Sequence, residues 1–299
     1  MRFDNGADQA EGLRRLLVAD QTRLISVLAG KPKLGKTSVT INLAAALKRS
    51  GKDVLVLDEN SSPNNLLDSL GLYARYDLLD VVQGKCVLRE ALLGNKGFAI
   101  LSTMRLRHAL LSSNERQHLE NVLTEIGDSA DVVLLDAALP TGQTTLNVGE
   151  GMALLLVVDA TTSGITESYA LIKRMIAEHG RLNFGVLINK AGSEQAALTL
   201  FANMDRLARR NLATRLEYAG YIPRDEQLQR ATRLSRPVFD AFPRAISVPA
   251  FAHLAQQVMR ISVQQDSFSA GAGPVMKNVL SRVASSLSQH SREMVHAVN

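Results

Sequence analysis

The segment Gly30-Lys31-Pro32-Lys33-Leu34-Gly35-Lys36-Thr37 matches the pattern G-x-x-x-x-G-K-[ST]. It follows the apolar run Leu24 to Leu28 and precedes a helical pattern from Ser38 to Ser50. Motif and context together predict a P-loop, in which backbone N–H groups and the helix N-terminus bind phosphate. We expect Lys36 to neutralise phosphate charge and the Thr37 hydroxyl to ligate Mg²⁺. An ordinary glycine-containing turn between a strand and a helix is the alternative interpretation.

Short runs of Val, Ile and Leu alternate with helical patterns along the chain. The predicted strands are Leu24 to Leu28, Asp53 to Leu57, Phe98 to Leu101, Val132 to Leu135, Ala153 to Val158, Phe184 to Ile188 and Leu216 to Ile222. The helical patterns are Ser38 to Ser50, Asn114 to Ile126, Ile165 to Glu178 and Glu194 to Asn211. This alternation predicts an α/β fold: a doubly wound, mostly parallel sheet flanked by helices, with ligands at the carboxyl ends of the strands.

The nucleotide-binding domain is expected to span residues 23–264, with short additions at both ends. Residues 1–22 contain a short amphipathic pattern, and residues 265–274 have the Ser, Gly and Ala composition of a linker. In residues 275–299, apolar side chains recur at helical spacing, which predicts an amphipathic C-terminal helix. That helix is expected to contact a membrane surface, the domain itself or a partner.

Charge and cysteine content exclude several classes of protein. The 34 Lys and Arg residues against 29 Asp and Glu give a net charge of +5, which is too mild to indicate a nucleic-acid partner. The single cysteine, Cys86, excludes an internal disulfide and a cysteine cluster for zinc or iron-sulfur. No signal peptide and no apolar run of about 20 residues is present, so we expect a cytoplasmic protein, with peripheral contact at the inner face of the cell membrane.

Two aspartates end predicted strands at the edge where a P-loop ligand would lie. Asp58 follows one strand and Asp136 follows another. A carboxylate at such a strand end can bind Mg²⁺ or its water ligands. We therefore expect Thr37, Asp58 and Asp136 to be the metal-binding residues, although a helix-capping or turn role fits each aspartate alone.

The chain resembles the MinD/ParA class of deviant-Walker ATPases, whose loop reads K-G-G-x-G-K-T. In this family the first lysine reaches across a dimer to the partner's nucleotide, and Lys31 has that position. The resemblance covers residues 23–260 and implies an ATP and Mg²⁺ site and a nucleotide-dependent homodimer. Other motifs match in family order: a switch element at Asp58-Glu59-Asn60, an adenine-reading asparagine at Asn189, and an I-P-x-D element at Ile222-Pro223-Arg224-Asp225. The implied cofactor-binding residues are Gly30, Lys31, Pro32, Lys33, Leu34, Gly35, Lys36, Thr37, Ser38, Asn189, Pro223 and Asp225, and the catalytic candidates are Lys31, Asn60 and Asp136.

The N-terminal segment resembles the D-Q-A-x-x-L-R motif of the FlhG (FleN) branch, which sets flagellar number and placement. The matching residues are Asp8, Gln9, Ala10, Leu13 and Arg14. In that branch the segment stimulates a partner GTPase, FlhF. The resemblance therefore implies an FlhF-type GTPase as partner, together with flagellar switch or C-ring proteins or a flagellar transcription activator.

Three departures from the family pattern concern hydrolysis and switching. Pro32 and Lys33 replace the paired loop glycines, and proline has no N–H to donate. Asn60 replaces the second switch aspartate and cannot accept a proton from the attacking water. The switch glycine after Asp136 is also absent, because the chain continues Ala137-Ala138-Leu139-Pro140. We predict that nucleotide binding is retained and that turnover is slow or lost.

Three other functions remain open from the sequence. A ParA-type DNA-partitioning ATPase would need a DNA-binding surface. A metabolic enzyme on the same fold would need substrate-binding groups that we do not find. A nucleotide-stabilised scaffold is compatible with the proline in the loop. The six histidines lack the spacing of a metal site, and we assign them no role.

Overall fold

The computed structural model describes residues 22–60, 65–95, 97–106, 109–138, 151–180 and 182–264. In this part of the chain a sheet of eight strands has the order β3-β4-β2-β5-β1-β6-β7-β8. β3 pairs antiparallel with β4, and the other pairs are parallel. The strands are β1 (Arg23–Ala29), β2 (Val54–Asp58), β3 (Leu93–Asn95), β4 (Phe98–Ser102), β5 (Val132–Asp136), β6 (Met152–Asp159), β7 (Phe184–Ala191) and β8 (Leu216–Pro223).

Helices cover both faces of the sheet. The long ones are α1 (Lys36–Arg49), α5 (Ser113–Ser129), α6 (Thr162–His179), α7 (Glu194–Leu212) and α10 (Ser247–Val258). The short ones are α2 (Leu66–Ser69), α3 (Leu78–Val82), α4 (Leu88–Ala91), α8 (Glu226–Arg233) and α9 (Val238–Ala241). One apolar core lies between the sheet and α3 to α7, and a second lies between the sheet and α1, α2, α8, α9 and α10. Both faces are therefore buried, which explains why β1, β2 and β6 consist mostly of buried apolar residues.

The predicted α/β architecture is confirmed, with element boundaries that differ by at most three residues. The first helix begins at Lys36 rather than Ser38, and β2 includes Asp58. The segment from Phe98 forms β4, as expected. β3 and the short helices were not predicted, because three to eight residues are too few for a recognisable period.

Several sequence predictions lie outside the described residues. They are the partner-binding motif with Asp8, Gln9, Ala10, Leu13 and Arg14, the linker at 265–274 and the C-terminal helix at 275–299.

The strand order sets the position of the site. From β1 the chain moves to one side of the sheet to form β2, and later strands β6, β7 and β8 lie on the other side of β1. The crevice at the carboxyl end of β1 is therefore the topological switch point, where ligands bind in open parallel sheets. The segment between β1 and α1 contains the predicted P-loop.

Candidate functional site

Two loop glycines have positions that no other residue would fit. A Cβ atom on Gly30 would lie within 3.0 Å of the α6 backbone at Glu167 and Ser168. Gly35 has a left-handed backbone, with φ of 94°, and a Cβ there would overlap the Asn189 amide. Both glycines thus permit a close approach between the loop and neighbouring elements.

Between these glycines, the residues that replace the family's glycine pair adopt an unusual backbone. Lys33 is left-handed, with φ of 66°, although it is not glycine. Its side chain is exposed, as is that of Pro32, whereas Leu34 is buried. The backbone at position 33 is therefore left-handed although the residue is a lysine.

Asp136 is the centre of a buried polar network. Its carboxylate is fully buried and accepts a hydrogen bond from Lys36 Nζ at 2.6 Å. Because the two groups carry opposite charges, this contact is also an ion pair. The Thr37 and Thr40 hydroxyls each donate to it at 3.0 Å. The predicted phosphate lysine, the predicted metal-binding hydroxyl and the carboxylate at the end of β5 therefore meet at one point. Thr40 was not predicted.

Asn60 joins Asp136 to Asp58. Its Nδ2 donates to Asp136 Oδ2 at 2.7 Å and lies 3.3 Å from Asp58 Oδ1, and its backbone N–H donates to the same Asp58 oxygen at 3.0 Å. The other Asp58 oxygen accepts from the Leu66 N–H. Burial and the nearby Asp136 carboxylate raise the pKa of Asp58 to about 6. Asp58, Asn60 and Asp136, at or just after the ends of β2 and β5, are called the carboxylate half below.

Glu59, the neighbour of these residues, contacts the backbone just after β5. Its Oε2 accepts a hydrogen bond from the backbone N–H of Ala138, just after β5, at 3.1 Å. In an extended segment neighbouring side chains lie on opposite faces, which explains why Glu59 and Asn60 contact different groups.

Lys31 lies apart from the carboxylate half. Its Nζ donates to Ser163 Oγ, in the first turn of α6, at 2.6 Å. The proposed trans-acting lysine is therefore bound to a neutral hydroxyl within its own chain.

On the other side of β1, the ends of β7 and β8 border an open pocket of about 380 Å³. The pocket wall includes the predicted residues Lys33, Gly35, Ser38, Asn189, Pro223 and Asp225. It also includes residues that were not predicted: Val39, Lys190, Arg224, Leu228, Gln229, Thr232 and Arg233. Most of the latter belong to α8, whose eight residues gave no clear sequence signal. A cavity of this size can hold a nucleobase and its sugar.

Asn189 is buried at the end of β7 and both ends of its amide are used inside the protein. Its Nδ2 donates to the Leu34 carbonyl at 2.8 Å, and its Oδ1 accepts from the Lys190 N–H at 3.0 Å. Through the bond to Leu34, Asn189 connects the sheet to the P-loop. This contact was not predicted, whereas a contact of Asn189 with the nucleobase was.

Lys190 was not predicted. Its Nζ donates to Asp159 Oδ2 at 2.8 Å and to the Lys33 carbonyl at 3.2 Å. Its backbone is left-handed, with φ of 57°, and it lies at a register irregularity between β7 and β8. A lysine after an apolar run carries no sequence signal for such a bulge. Four residues at the ends of β6, β7 and β8 are called the base half, after the nucleobase that is predicted to bind beside them: Asp159, Asn189, Lys190 and Pro223.

Asp225 borders the pocket, but its carboxylate makes structural bonds. It accepts from the Gln227 N–H at the start of α8 and from both the N–H and the hydroxyl of Ser247 on α10. Burial opposes ionisation of this carboxyl, but the bonds from Ser247 and Gln227 outweigh it and lower the pKa of Asp225. Asp225 thus joins α8, which forms part of the pocket wall, to α10.

The described residues contain no helix that is long and apolar enough to cross a membrane. They also contain no group of three or more His, Cys, Asp or Glu side chains arranged to bind a metal ion. A pair of carboxylates with a hydroxyl remains, and Mg²⁺ sites completed by phosphate oxygens need no more from the protein.

Sequence and structure comparisons agree with this site. A family model described as the CobQ/CobB/MinD/ParA nucleotide binding domain matches residues 25–238. The antiactivator FleN of Pseudomonas aeruginosa is 37% identical over 240 residues, which cover 79% of this chain and 86% of FleN. The septum site-determining protein MinD of Synechocystis is 24% identical over 269 residues, which cover 87% of this chain and 98% of MinD.

Solved structures share the fold. The cell division ATPase MinD of Pyrococcus furiosus aligns with a TM-score of 0.60 and 23% identity, over 80% of this chain and 98% of MinD. MinD of Pyrococcus horikoshii in complex with Mg-ADP aligns with a TM-score of 0.59 and 24% identity, over 79% and 96% of the two chains. The P-loop, the paired strand-end aspartates and these similarities lead to one conclusion: the chain belongs to the MinD/ParA family of P-loop nucleotide-binding proteins and, within it, to the FlhG/FleN group.

Proposed function

We propose that this protein is an ATP-binding regulator of flagellar number, placement and assembly that acts through partner proteins and hydrolyses ATP slowly or not at all. The observation that carries the proposal is Asn60, an amide at the junction of an otherwise complete set of phosphate- and metal-binding groups. FleN, described as an antiactivator, supports the flagellar role.

The P-loop residues fit the phosphates of ATP. Lys36 is a buried cation at the N-terminus of α1, where the helix dipole also favours an anion. In the present structure Lys36 is paired with Asp136, so phosphate binding requires Lys36 to exchange one anionic partner for another. Gly30 and Gly35 allow the loop to pack closely against α6 and the Asn189 amide, which fixes the path of the loop.

The donor set beside Lys36 fits Mg²⁺. Thr37 supplies a hydroxyl, and Asp58 and Asp136 supply carboxylates, which are the hard oxygen ligands that Mg²⁺ prefers. Bound there, Mg²⁺ would neutralise phosphate charge. Deprotonation of Asp58, whose pKa is about 6, favours this site at neutral pH.

The hydrolysis step lacks a proton acceptor at Asn60. Its Nδ2 already donates to the two carboxylates, and an amide oxygen is too weakly basic to accept a proton from water. We do not expect Glu59 to take the place of the missing carboxylate, because its Oε2 accepts from the Ala138 N–H and not from the groups that Asn60 contacts. Hence the ATP-bound state is expected to persist.

The base of ATP is expected in the pocket beside the base half, with Asn189, Pro223 and Asp225 in its wall. Lys31, released from Ser163, would act across a nucleotide-dependent homodimer. An FlhF-type GTPase would engage the N-terminal motif, and flagellar switch proteins or a transcription activator would engage other surfaces. We place this activity in the cytoplasm, at the inner face of the membrane when the C-terminal helix binds there.

The hydrolysis proposal is tested with Asn60→Asp. Purified wild-type protein should bind ATP with Mg²⁺ but release phosphate at a rate near background, and Asn60→Asp should raise that rate about tenfold or more. Binding is measured by calorimetry and phosphate release by a continuous assay. Asn60→Ser, which removes the amide without adding a carboxylate, is the control. Wild-type hydrolysis at rates typical of MinD relatives would contradict the proposal.

The switch is tested by size-exclusion chromatography with ATP, with ADP and without nucleotide. We expect a dimer only with ATP, and only monomer in all three conditions for Lys36→Ala. If nucleotide leaves the elution volume of the wild type unchanged, the switch is refuted and a scaffold role is favoured.

A further inference from the structure

Two non-glycine residues with left-handed backbones contact each other in the site. Lys33 has φ of 66° and Lys190 has φ of 57°. For residues with a Cβ atom this conformation is strained, and it persists where surrounding contacts hold it. The Lys190 Nζ lies 3.2 Å from the Lys33 carbonyl, so the contact that could hold Lys33 is present.

Lys190 is itself fixed in position. The register irregularity between β7 and β8 leaves Lys190 between the paired residues Asn189 and Ala191. Such a bulge re-aims a side chain out of the strand. Asp159 then holds the ammonium group at 2.8 Å, and the other Asp159 oxygen accepts from the Thr161 N–H. The bond to Asp159 therefore fixes the position of the Lys190 ammonium group beside the loop.

The contact determines the direction of the loop peptides. Lys190 binds the carbonyl of Lys33, and Asn189 Nδ2 binds the carbonyl of Leu34. In a trans peptide the C=O of one residue and the N–H of the next point in opposite directions, and the described peptides include no cis bond. The N–H groups of Leu34 and Gly35 therefore point away from β7, as donors for a phosphate group.

We propose that Lys190 is a positioning residue for nucleotide binding. Its bond to the Lys33 carbonyl stabilises the left-handed conformation that a glycine would adopt without help. In this way Lys190, anchored by Asp159, compensates for the lysine at position 33 and orients the loop donors for the phosphates of a nucleoside di- or triphosphate. This inference rests on the proposed nucleotide binding.

The test is a double-mutant cycle between Lys190→Met and Lys33→Gly, with ATP affinity as the readout. In the wild-type background Lys190→Met should weaken ATP binding about tenfold, as expected for loss of a charge-assisted hydrogen bond. In the Lys33→Gly background the same change should cost about threefold or less, because glycine needs no holding contact. Lys190→Arg, which keeps the charge and the donors, should recover part of the affinity. Lys173→Met, at an exposed lysine of α6, is the matched control and should leave affinity unchanged.

An equal loss in both backgrounds, or no loss in either, overturns the inference even though the wild type binds ATP. If the wild type binds no ATP, the proposed function fails, and the same cycle measured by urea unfolding of the nucleotide-free protein decides the inference. A smaller destabilisation by Lys190→Met in the Lys33→Gly background supports it, and equal destabilisation in both overturns it.

Discussion

The carboxylate half and the base half lie on opposite sides of β1 and use their polar groups differently. In the carboxylate half, side chains bind mainly one another, and Asp136 alone accepts from Lys36, Thr37, Thr40 and Asn60. In the base half, Asn189 and Lys190 bind backbone carbonyls of the loop and leave an open pocket beside them. One half must exchange bonds to bind a ligand, whereas the other is already arranged for it.

The surroundings of the two halves also shift the pKa of a carboxyl group in opposite directions. Burial and Asp136 raise the pKa of Asp58 to about 6, because two carboxylates share a dry site. Beside the base half, hydrogen bonds lower the pKa of Asp225 despite its burial. The first arrangement favours arrival of a cation, and the second stabilises the fold around the pocket.

The largest expected effect comes from Lys36→Ala, which removes the cation that pairs with Asp136 of the carboxylate half. ATP affinity should fall about 100-fold or more, since a buried charge partner of phosphate is lost. The free energy of unfolding should also fall by about 3–5 kcal/mol, because Asp136 remains buried without its partner. Calorimetry and urea unfolding measure the two effects.

Lys48→Ala is the matched control for Lys36→Ala. Lys48 pairs with Asp53 at 3.0 Å, but both side chains are exposed, so its loss should cost under about 1 kcal/mol. Similar destabilisation by both variants would mean that the buried pair of Lys36 and Asp136 stabilises the fold no more than a surface pair does.

A smaller effect is expected for Gly30→Ala, which separates the loop from α6. The added methyl group would overlap the backbone at Glu167 and Ser168, so we expect about 1–3 kcal/mol of destabilisation and weaker ATP binding. Gly192→Ala is the control, because a Cβ there meets nothing within 4 Å. Thermal unfolding of the two variants side by side checks this expectation. If Gly30→Ala unfolds at the same temperature as the wild type, the loop and α6 can move apart without loss of stability.

The smallest effect concerns pH and Asp225→Asn. Because the folded-state pKa of Asp225 lies below its ordinary value of 3.8, its stabilisation is present above that pH and is lost as the pH falls through the folded-state pKa. We expect Asp225→Asn to be about 1 kcal/mol less stable than the wild type at pH 7, and this difference should shrink progressively as the pH falls below 3.8. Urea unfolding across this range measures the difference. A difference that stays constant with pH would remove the electrostatic explanation.

The sequence predicted the parts of the site that depend on short, ordered motifs. Asp58 and Asp136 were placed correctly, since residues that end parallel strands meet at one edge of the sheet. Lys190 was missed because its role depends on a bulge and a left-handed backbone, which arise from the pairing of β7 with β8. The loop-holding bond of Asn189 was missed for a similar reason, since its partner Leu34 lies 155 residues away. Long-range contacts of this kind have no local period to detect.

The close fit of Gly30 against α6 also has a mechanical consequence. α6 has 18 residues, so at 1.5 Å per residue it is about 27 Å long from Thr162 to His179. Gly30 packs on Glu167 and Ser168, and Lys31 donates a hydrogen bond to Ser163 nearby. The loop is therefore in contact with the first turns of a rigid helix. A displacement of the loop would therefore move the first turns of α6, and a rigid helix would transmit that movement to its far end at His179.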